Sequence, residues 1–275
     1  MTLRIWGLLV ALLILGESSQ ASAYHSDRKR VVQSTAYLLN KGEKIVGPFR
    51  VDYGILDKLQ VGTYVVPWAF VIPNIQFKML VFQNEHWVVS LRPGLFYADL
   101  AIPHNLYGIG PDSTDLKLWL VPIEGYVSLN LPRRLTLTLG GVYTAVAGHG
   151  HYDPDDFDGT AAASNAQVGL GLEWRVNRIT ALYLAGRYIA YQNANGVGSV
   201  TVDVDDATTA DVTAKGTANG ADASNGYSVQ VSALFSWRYF NLRLGVGYGN
   251  YNAPGLNLVV PKRLPFPVFD IFWRF

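Results

Sequence analysis

The chain has 275 residues, no cysteine, and 22 basic residues against 21 acidic ones. The absence of cysteine excludes a disulfide framework, a thiolate metal site and a cysteine nucleophile. A formal net charge of +1 lacks the basic excess with which nucleic-acid-binding proteins neutralise phosphates, so we expect no nucleic-acid partner.

The first 23 residues are typical of a secretory signal peptide. Arg4 precedes the apolar stretch WGLLVALLILG, and small residues follow up to Ala23. This stretch is shorter than the roughly 20 residues that a spanning helix needs. We therefore predict a signal peptide over 1–23, cleaved after Ala23, and a short basic periplasmic leader over 24–30.

The rest of the chain alternates between polar and apolar residues with a period of two, which predicts β-strands. In KIVGPFRVDY, residues 44–53, Arg50 and Asp52 alternate with Val51 and Tyr53. Eleven strands are predicted in this way, at 44–53, 59–69, 74–82, 87–99, 115–130, 134–146, 165–175, 179–192, 226–238, 241–251 and 264–275. Alternation alone fits both a soluble sandwich and a membrane barrel, whose apolar faces point in opposite directions.

Two features favour the barrel. Large aromatic residues fall near strand ends, with Trp87, Trp174, Trp237 and Trp273 at one end and Tyr97, Tyr143, Tyr188 and Tyr248 toward the other. Such belts suit the two membrane interfaces. Tight connections also alternate with long ones, and the longest are predicted extracellular loops at 100–114, 147–163 and 193–225.

The end of the chain, PFPVFDIFWRF, resembles the C-terminal signature of bacterial outer-membrane β-barrel proteins. In that family a terminal aromatic residue follows apolar residues at alternate positions, here Phe269, Ile271, Trp273 and Phe275. The resemblance implies residence in the cell outer membrane of a Gram-negative-type bacterium, with outer-membrane lipid and the barrel assembly machinery as partners. The stretch STAYLLNKGEKIVGPFRVDYGILDKLQVGT also resembles the opening of a group of poorly characterised outer-membrane barrels, which brings no established activity.

We therefore predict an all-β fold, an antiparallel up-and-down transmembrane β-barrel of about 12 strands over 31–275. Bacterial single-chain barrels have an even number of strands. The segment VVQSTAYLLN, residues 31–40, is the predicted twelfth strand, and ten strands remains an alternative.

Strand parity predicts which charged residues line the lumen. These are Arg50, Asp52, Lys78, Arg92, Glu173, Arg175, Arg187, Arg238, Arg243, Asp270 and Arg274. The basic excess predicts a passive small pore or transport channel for polar or anionic solutes. The alternative is a non-conducting structural or surface-interaction barrel, whose arginines pair with carboxylates and stiffen the wall.

The sequence predicts no enzyme, no catalytic residue and no cofactor. His104, Asp112 and Ser113 lie in one predicted loop without a nucleophile elbow, so an outer-membrane hydrolase is the least expected function. The acidic stretch 148–159 carries two histidines but lacks the EF-hand spacing, and a divalent ion there remains open. The pattern indicates neither the solute nor the oligomeric state.

Overall fold

The structure, a computed structural model, describes residues 31–32, 34–99, 114–152, 157–202, 212–219, 225–252 and 259–275. The predicted signal peptide and leader lie outside these residues, as does most of the predicted loop 100–114. None of the described helices is long and apolar enough to cross a membrane.

The described residues form strands joined mostly by tight turns, with one short helix. The elements in chain order are β1 (Lys44–Val46), β2 (Arg50–Leu56), β3 (Leu59–Tyr64), α1 (Val65–Ala69), β4 (Asn74–Gln83), β5 (Trp87–Asp99), β6 (Thr114–Leu131), β7 (Leu135–Tyr152), β8 (Phe157–Arg175), β9 (Thr180–Val202), β10 (Val212–Asn219), β11 (Tyr227–Ser236), β12 (Phe240–Asn252) and β13 (Val259–Arg274).

Twelve of these strands close into a ring in which every neighbouring pair is antiparallel. The ring is sealed by the pairing of β1 with β13, while β10 pairs beside it with the distal part of β9. The predicted fold, an all-β up-and-down barrel of 12 strands, is confirmed.

Apolar side chains point outward and polar ones inward. In β4, Ile75 and Val81 are 41% and 66% exposed, whereas Gln76 and Lys78 are each 4% exposed. The predicted belt residues Trp87, Trp174 and Tyr248 are exposed on the outer face as well. An apolar outer face around a polar interior belongs in lipid, and the fold is that of an outer-membrane β-barrel.

The twelve strands of the ring do not coincide with the twelve segments predicted as strands. Of the predicted strand 31–40, the described residues, 31–32 and 34–40, form no strand and lie inside the barrel. The predicted strand 44–53 is instead two strands, β1 and β2, because the chain reverses at Gly47, whose N–H donates to the Arg50 carbonyl at 2.9 Å. The predicted strand 59–69 ends at Tyr64, and Pro67, which has no N–H for a ladder, lies in helix α1.

Strand pairing extends into two of the predicted loops. β7 and β8 pair up to Tyr152 opposite Phe157, within the predicted loop 147–163, and residues 153–156 lie outside the described residues. β9 and β10 occupy parts of the predicted loop 193–225. We call the end of the barrel with the tight turns at 57–58, 84–86, 132–134, 176–179 and 237–239 the short-turn end.

The wall is low on one side. β13 pairs with β12 continuously from Trp273 to Arg263. On its other side the described seam with β1 is short, with Trp273 and Arg274 opposite β1 and Phe275 bonded to Lys44. Above that seam the chain turns at 47–49, and β3 gives way to helix α1. We call this gap, between the free edge of β13 and the chain from Phe49 to Ile72, the notch.

Two prolines mark the free edge of β13. On the side of β12, the N–H of Arg274 donates to the Tyr239 carbonyl at 2.8 Å. On the side of the β1 seam, the N–H of Phe275 donates to the Lys44 carbonyl at 2.9 Å. Because amide directions alternate along a strand, Pro265 and Pro267 stand where an N–H would face the notch. This edge therefore leaves no donor unsatisfied at those positions.

Candidate functional site: the barrel interior

The segment 31–43, which we call the plug, crosses the lumen near the short-turn end. Thr35, Ala36 and Leu39 are completely buried. Leu39 and Val32 pack in one apolar cluster with inward-facing residues of three strands, Ala181, Leu234 and Phe272. These contacts fasten the plug to the β9, β11 and β13 wall.

Polar side chains hold the plug on the opposite wall. The Lys78 ammonium group donates to three plug carbonyls, at 3.1 Å to Val32, 2.7 Å to Thr35 and 2.6 Å to Tyr37. Ser128 accepts the Ala36 N–H at 2.8 Å, and Gln60 accepts the Leu39 N–H at 3.1 Å. The end of the plug also bonds to β2 through the backbone, from the Gly42 N–H to the Gly54 carbonyl at 2.8 Å and from the Gly54 N–H to the Glu43 carbonyl at 2.9 Å. The plug adds no strand to the sheet.

The end of the plug is tied to the last strand by a buried ion pair. Arg274 donates from Nε to Glu43 Oε1 at 2.7 Å and from Nη2 to Oε2 at 3.1 Å. The same carboxylate accepts the backbone and side-chain N–H groups of Asn40 at 3.0 and 3.1 Å. Glu43 is thus saturated by donors, as a buried carboxylate must be.

Beyond the plug lies a chamber of about 680 Å³, and Ser34 of the plug forms part of its floor. The described residues that line this chamber include four arginines, Arg50, Arg92, Arg187 and Arg243, and two acidic residues, Glu124 and Asp270. This described lining is therefore electropositive at neutral pH.

One of these arginines is fully engaged. Arg92 lies 3.6 Å from Glu124 and donates to the Tyr64 hydroxyl at 3.1 Å and to the Gln76 side-chain carbonyl. Tyr126 donates its hydroxyl hydrogen to the same Glu124 carboxylate. This network spans β3 to β6 and braces the wall.

Two other arginines keep donors that have no hydrogen-bond partner among the described residues. These donors are Nη2 of Arg50 and Nη2 of Arg243, and both are buried. Arg50 Nε lies 3.4 Å from Asp52, and Arg243 donates from Nε to Ser232 at 2.9 Å, with its guanidinium over the Tyr183 ring at 4.6 Å. Each arginine is therefore held in place while part of its donor set stays unused.

The chamber wall next to the notch is apolar. Phe49 meets Phe269 edge-on, with ring centroids 6.2 Å apart, at the base of the notch. Apolar side chains continue around the chamber on both sides of the notch, from Val66, Phe70, Ile72, Phe266 and Val268. Phe70 is 63% exposed, so an apolar surface extends from the chamber toward the notch.

The structure places ten of the eleven predicted lumen residues on inward-facing strand positions. Arg50, Arg92, Arg187, Arg243 and Asp270 border the chamber, Lys78 and Arg274 hold the plug, Asp52 contacts Arg50, and Glu173 pairs with Arg175 at 3.7 Å. Arg238 does not line the lumen. β11 ends at Ser236, so Arg238 lies exposed in a turn, over the Tyr239 ring at 5.1 Å.

The predicted assembly signature lies along β13 with the parity expected of it. Phe269 and Trp273 are exposed on the outer face. Phe272 and Arg274, which have the opposite parity, are buried. Ile271 and Phe275 share the outer parity and are partly exposed.

Glu43, Ser128 and Tyr126 are interior residues that the sequence did not suggest. Glu43 lies between the predicted strands 31–40 and 44–53, where no interior residue was predicted. Ser128 and Tyr126 share the inward parity of Glu124 in β6, which was the available signal. Among the described residues no group of three potential ligands could hold a metal ion.

No protein-family model and no curated protein matches the sequence. Among solved structures, the toluene transporter TodX of Pseudomonas putida is similar, with a TM-score of 0.43 and 9% identity over 93% of this chain and 73% of TodX. Outer-membrane-expressed OmpT of Vibrio cholerae has a TM-score of 0.35 and 14% identity, over 82% of this chain and 63% of that one. The trimer form of in-vitro-folded OmpT gives 0.33 and 12%, over 82% and 64%. The chain thus spans less than two thirds of either OmpT structure, and at these identities the similarity concerns the fold alone.

Proposed function

We propose that the protein is an outer-membrane transport channel for small polar or anionic solutes, held closed at its short-turn end by the plug. The observation that carries this proposal is an electropositive chamber of about 680 Å³ directly above a plug that contributes no strand to the barrel. The plug is fastened by side-chain hydrogen bonds, one ion pair, an apolar cluster and two backbone hydrogen bonds between its last residues and Gly54. None of these contacts is a strand pairing of the closed ring, so the plug up to Asn40 can leave its place without opening the wall.

In this proposal the predicted signal peptide exports the chain, and the barrel assembly machinery reads Phe269, Ile271, Trp273 and Phe275. The proposal assigns no catalytic activity. The rival function is a non-conducting barrel, and the complete burial of Thr35, Ala36 and Leu39 in the lumen is the observation that favours it.

Conductance across a planar bilayer separates the two functions. We expect small or infrequent steps for the native protein and clearly more frequent steps for Lys78→Met, because three plug carbonyls lose their shared donor. Lys58→Met is the matched control, since Lys58 is exposed in the β2–β3 turn. Equal silence of Lys78→Met and a plug deletion would favour the non-conducting barrel.

A reversible lock tests the plug itself. Because the chain contains no cysteine, an Ala36→Cys and Ser128→Cys pair can be joined by a short thiol cross-linker without side reactions. The cross-linked protein should lose its conductance, and a cleavable linker should restore it on reduction. Conductance that survives the cross-link would show that solutes bypass the plug.

Ion selectivity tests the role of the chamber charges. Arg187 and Arg243 both border the chamber, so changing both to Glu replaces two positive charges by two negative ones. We expect the preference for anions over cations to fall or reverse, measured from the reversal potential in a salt gradient. An unchanged reversal potential would mean that permeating ions do not cross the chamber.

A further inference from the structure

We propose that the chamber contains a binding site for amphipathic carboxylates, in which Arg50 and Arg243 bind the carboxylate and the aromatic wall at the notch binds the apolar body. This inference rests on the proposed function and names the solute class for the same chamber. It identifies the ligand by chemistry, as an anionic head on an apolar group small enough for about 680 Å³.

The unused donors are the first step of the argument. A buried guanidinium N–H without an acceptor is costly, and proteins rarely leave one in place without a function. Nη2 of Arg50 and Nη2 of Arg243 are two such donors, and both side chains border the same chamber. An anion that accepts from both would supply the missing hydrogen bonds.

The two arginines also border the same chamber and carry like charges. Their positive charges repel each other, and Asp52 and Asp270 are their acidic neighbours. Arg243 faces Asp270 as its cross-strand partner, and Arg50 contacts Asp52 through Nε. A ligand anion placed between them would relieve this repulsion, and a planar carboxylate matches the fork of guanidinium donors.

Both guanidinium groups are held rigidly before any ligand arrives. Arg243 lies over the Tyr183 ring and is anchored by Ser232, and Arg50 lies 5.8 Å from the centroid of the Phe272 ring. Little side-chain freedom is therefore left to lose on binding, which favours affinity. Arg92, by contrast, is already engaged with Glu124 and Tyr64, so we assign it no contact with the ligand.

The apolar wall favours an amphipathic ligand over a small inorganic anion. Phe49, whose neighbour Arg50 carries the unused donor, contacts Phe269 across the notch. Phe266, Phe70 and Ile72 extend this apolar surface on the two sides. An anion with an apolar body satisfies the arginines and covers the aromatic wall at the same time.

Three probes that differ in one feature each test the site. Purified protein in lipid nanodiscs is titrated calorimetrically with 3-phenylpropionate, with 3-phenylpropanol, which lacks the charge, and with acetate, which lacks the apolar body. We expect 3-phenylpropionate to bind at least roughly tenfold more tightly than either control compound, because only it makes both sets of contacts. Equal affinity for the acid and the alcohol would overturn the arginine role, and equal affinity for acetate would overturn the apolar one.

Variants connect that affinity to the two arginines. Arg50→Gln and Arg243→Gln should each weaken 3-phenylpropionate binding by roughly tenfold while leaving 3-phenylpropanol unchanged. Arg238→Gln, an exposed turn residue, should change neither. If a variant fails to fold, as judged by an unchanged gel position on boiling, the three probes on the native protein still decide the question.

The outcome is independent of transport. Binding of 3-phenylpropionate by a protein that never conducts would support the site and contradict the channel. Conductance together with indifference to all three probes would contradict the site and support the channel.

Discussion

Charged side chains are bonded differently in the two halves of the barrel interior, the lower half at the short-turn end and the upper half formed by the chamber. At the short-turn end, Arg274 and Lys78 donate to Glu43 and to carbonyl groups of the plug. In the chamber above, Arg50 and Arg243 keep buried donors without a hydrogen-bond partner among the described residues. The difference supports a structural role for Arg274 and Lys78 and the proposed ligand-binding role for Arg50 and Arg243.

The largest expected effect is in the lower half. Glu43→Ala leaves the Arg274 guanidinium buried without its carboxylate, which should lower the free energy of unfolding by about 3–5 kcal/mol. Urea unfolding of the protein in vesicles measures this, with exposed Glu85→Ala as the control. A loss no larger than that of the control would remove the distinction between the two halves.

A smaller effect is expected where one neutral hydrogen bond holds the plug. Ser128→Ala deprives the Ala36 N–H of its acceptor and should cost about 1–3 kcal/mol. Ser236→Ala is a close match, because the Ser236 hydroxyl is buried near the same end without a hydrogen-bond partner. Hydrogen exchange at Ala36 should quicken in the first variant only.

The chamber arginines should contribute less to stability than Glu43 does. Replacing Arg50 and Arg243 together by Gln removes partly unused donors but leaves Asp52 without the guanidinium 3.4 Å away, so the free energy of unfolding should fall by about 1–2 kcal/mol, less than in Glu43→Ala. A loss comparable to that of Glu43→Ala, in the same urea experiment, would show that these arginines are structural.

The smallest effect on stability is expected at a buried hydroxyl group in the lower half. Thr136 is 1% exposed, and its hydroxyl has no hydrogen-bond partner in the described part of the chain. Thr136→Val keeps the shape and should change stability by no more than about 0.5 kcal/mol, in either direction. A clear loss would reveal a partner for this hydroxyl and extend the bonded network of the lower half.

Much of the wall could be predicted from the sequence, because outward apolar and inward polar residues alternate with a period of two along each strand of a membrane barrel. The parity of Lys78, Arg175 and Arg274 was enough to predict that they point inward. Arg238 was predicted to line the lumen because the alternation in the sequence continues past Ser236, but strand β11 ends at that residue.

The plug did not follow from the sequence. Residues 31–40 are apolar and small enough to enter a lumen, and a buried interior segment shows the same hydrophobicity as a buried strand. Its weak alternation was the signal against a strand. The turn at Gly47 was hidden because the residues on both sides of it continue the same alternation.

The position of the plug in the chain constrains the order of assembly. Its last residue, Glu43, directly precedes β1, which is the strand that meets β13 to complete the circle. Glu43 also bonds to Arg274, the residue of β13 that pairs with β1. The pairing that completes the circle therefore brings the end of the plug to its anchor on the last strand.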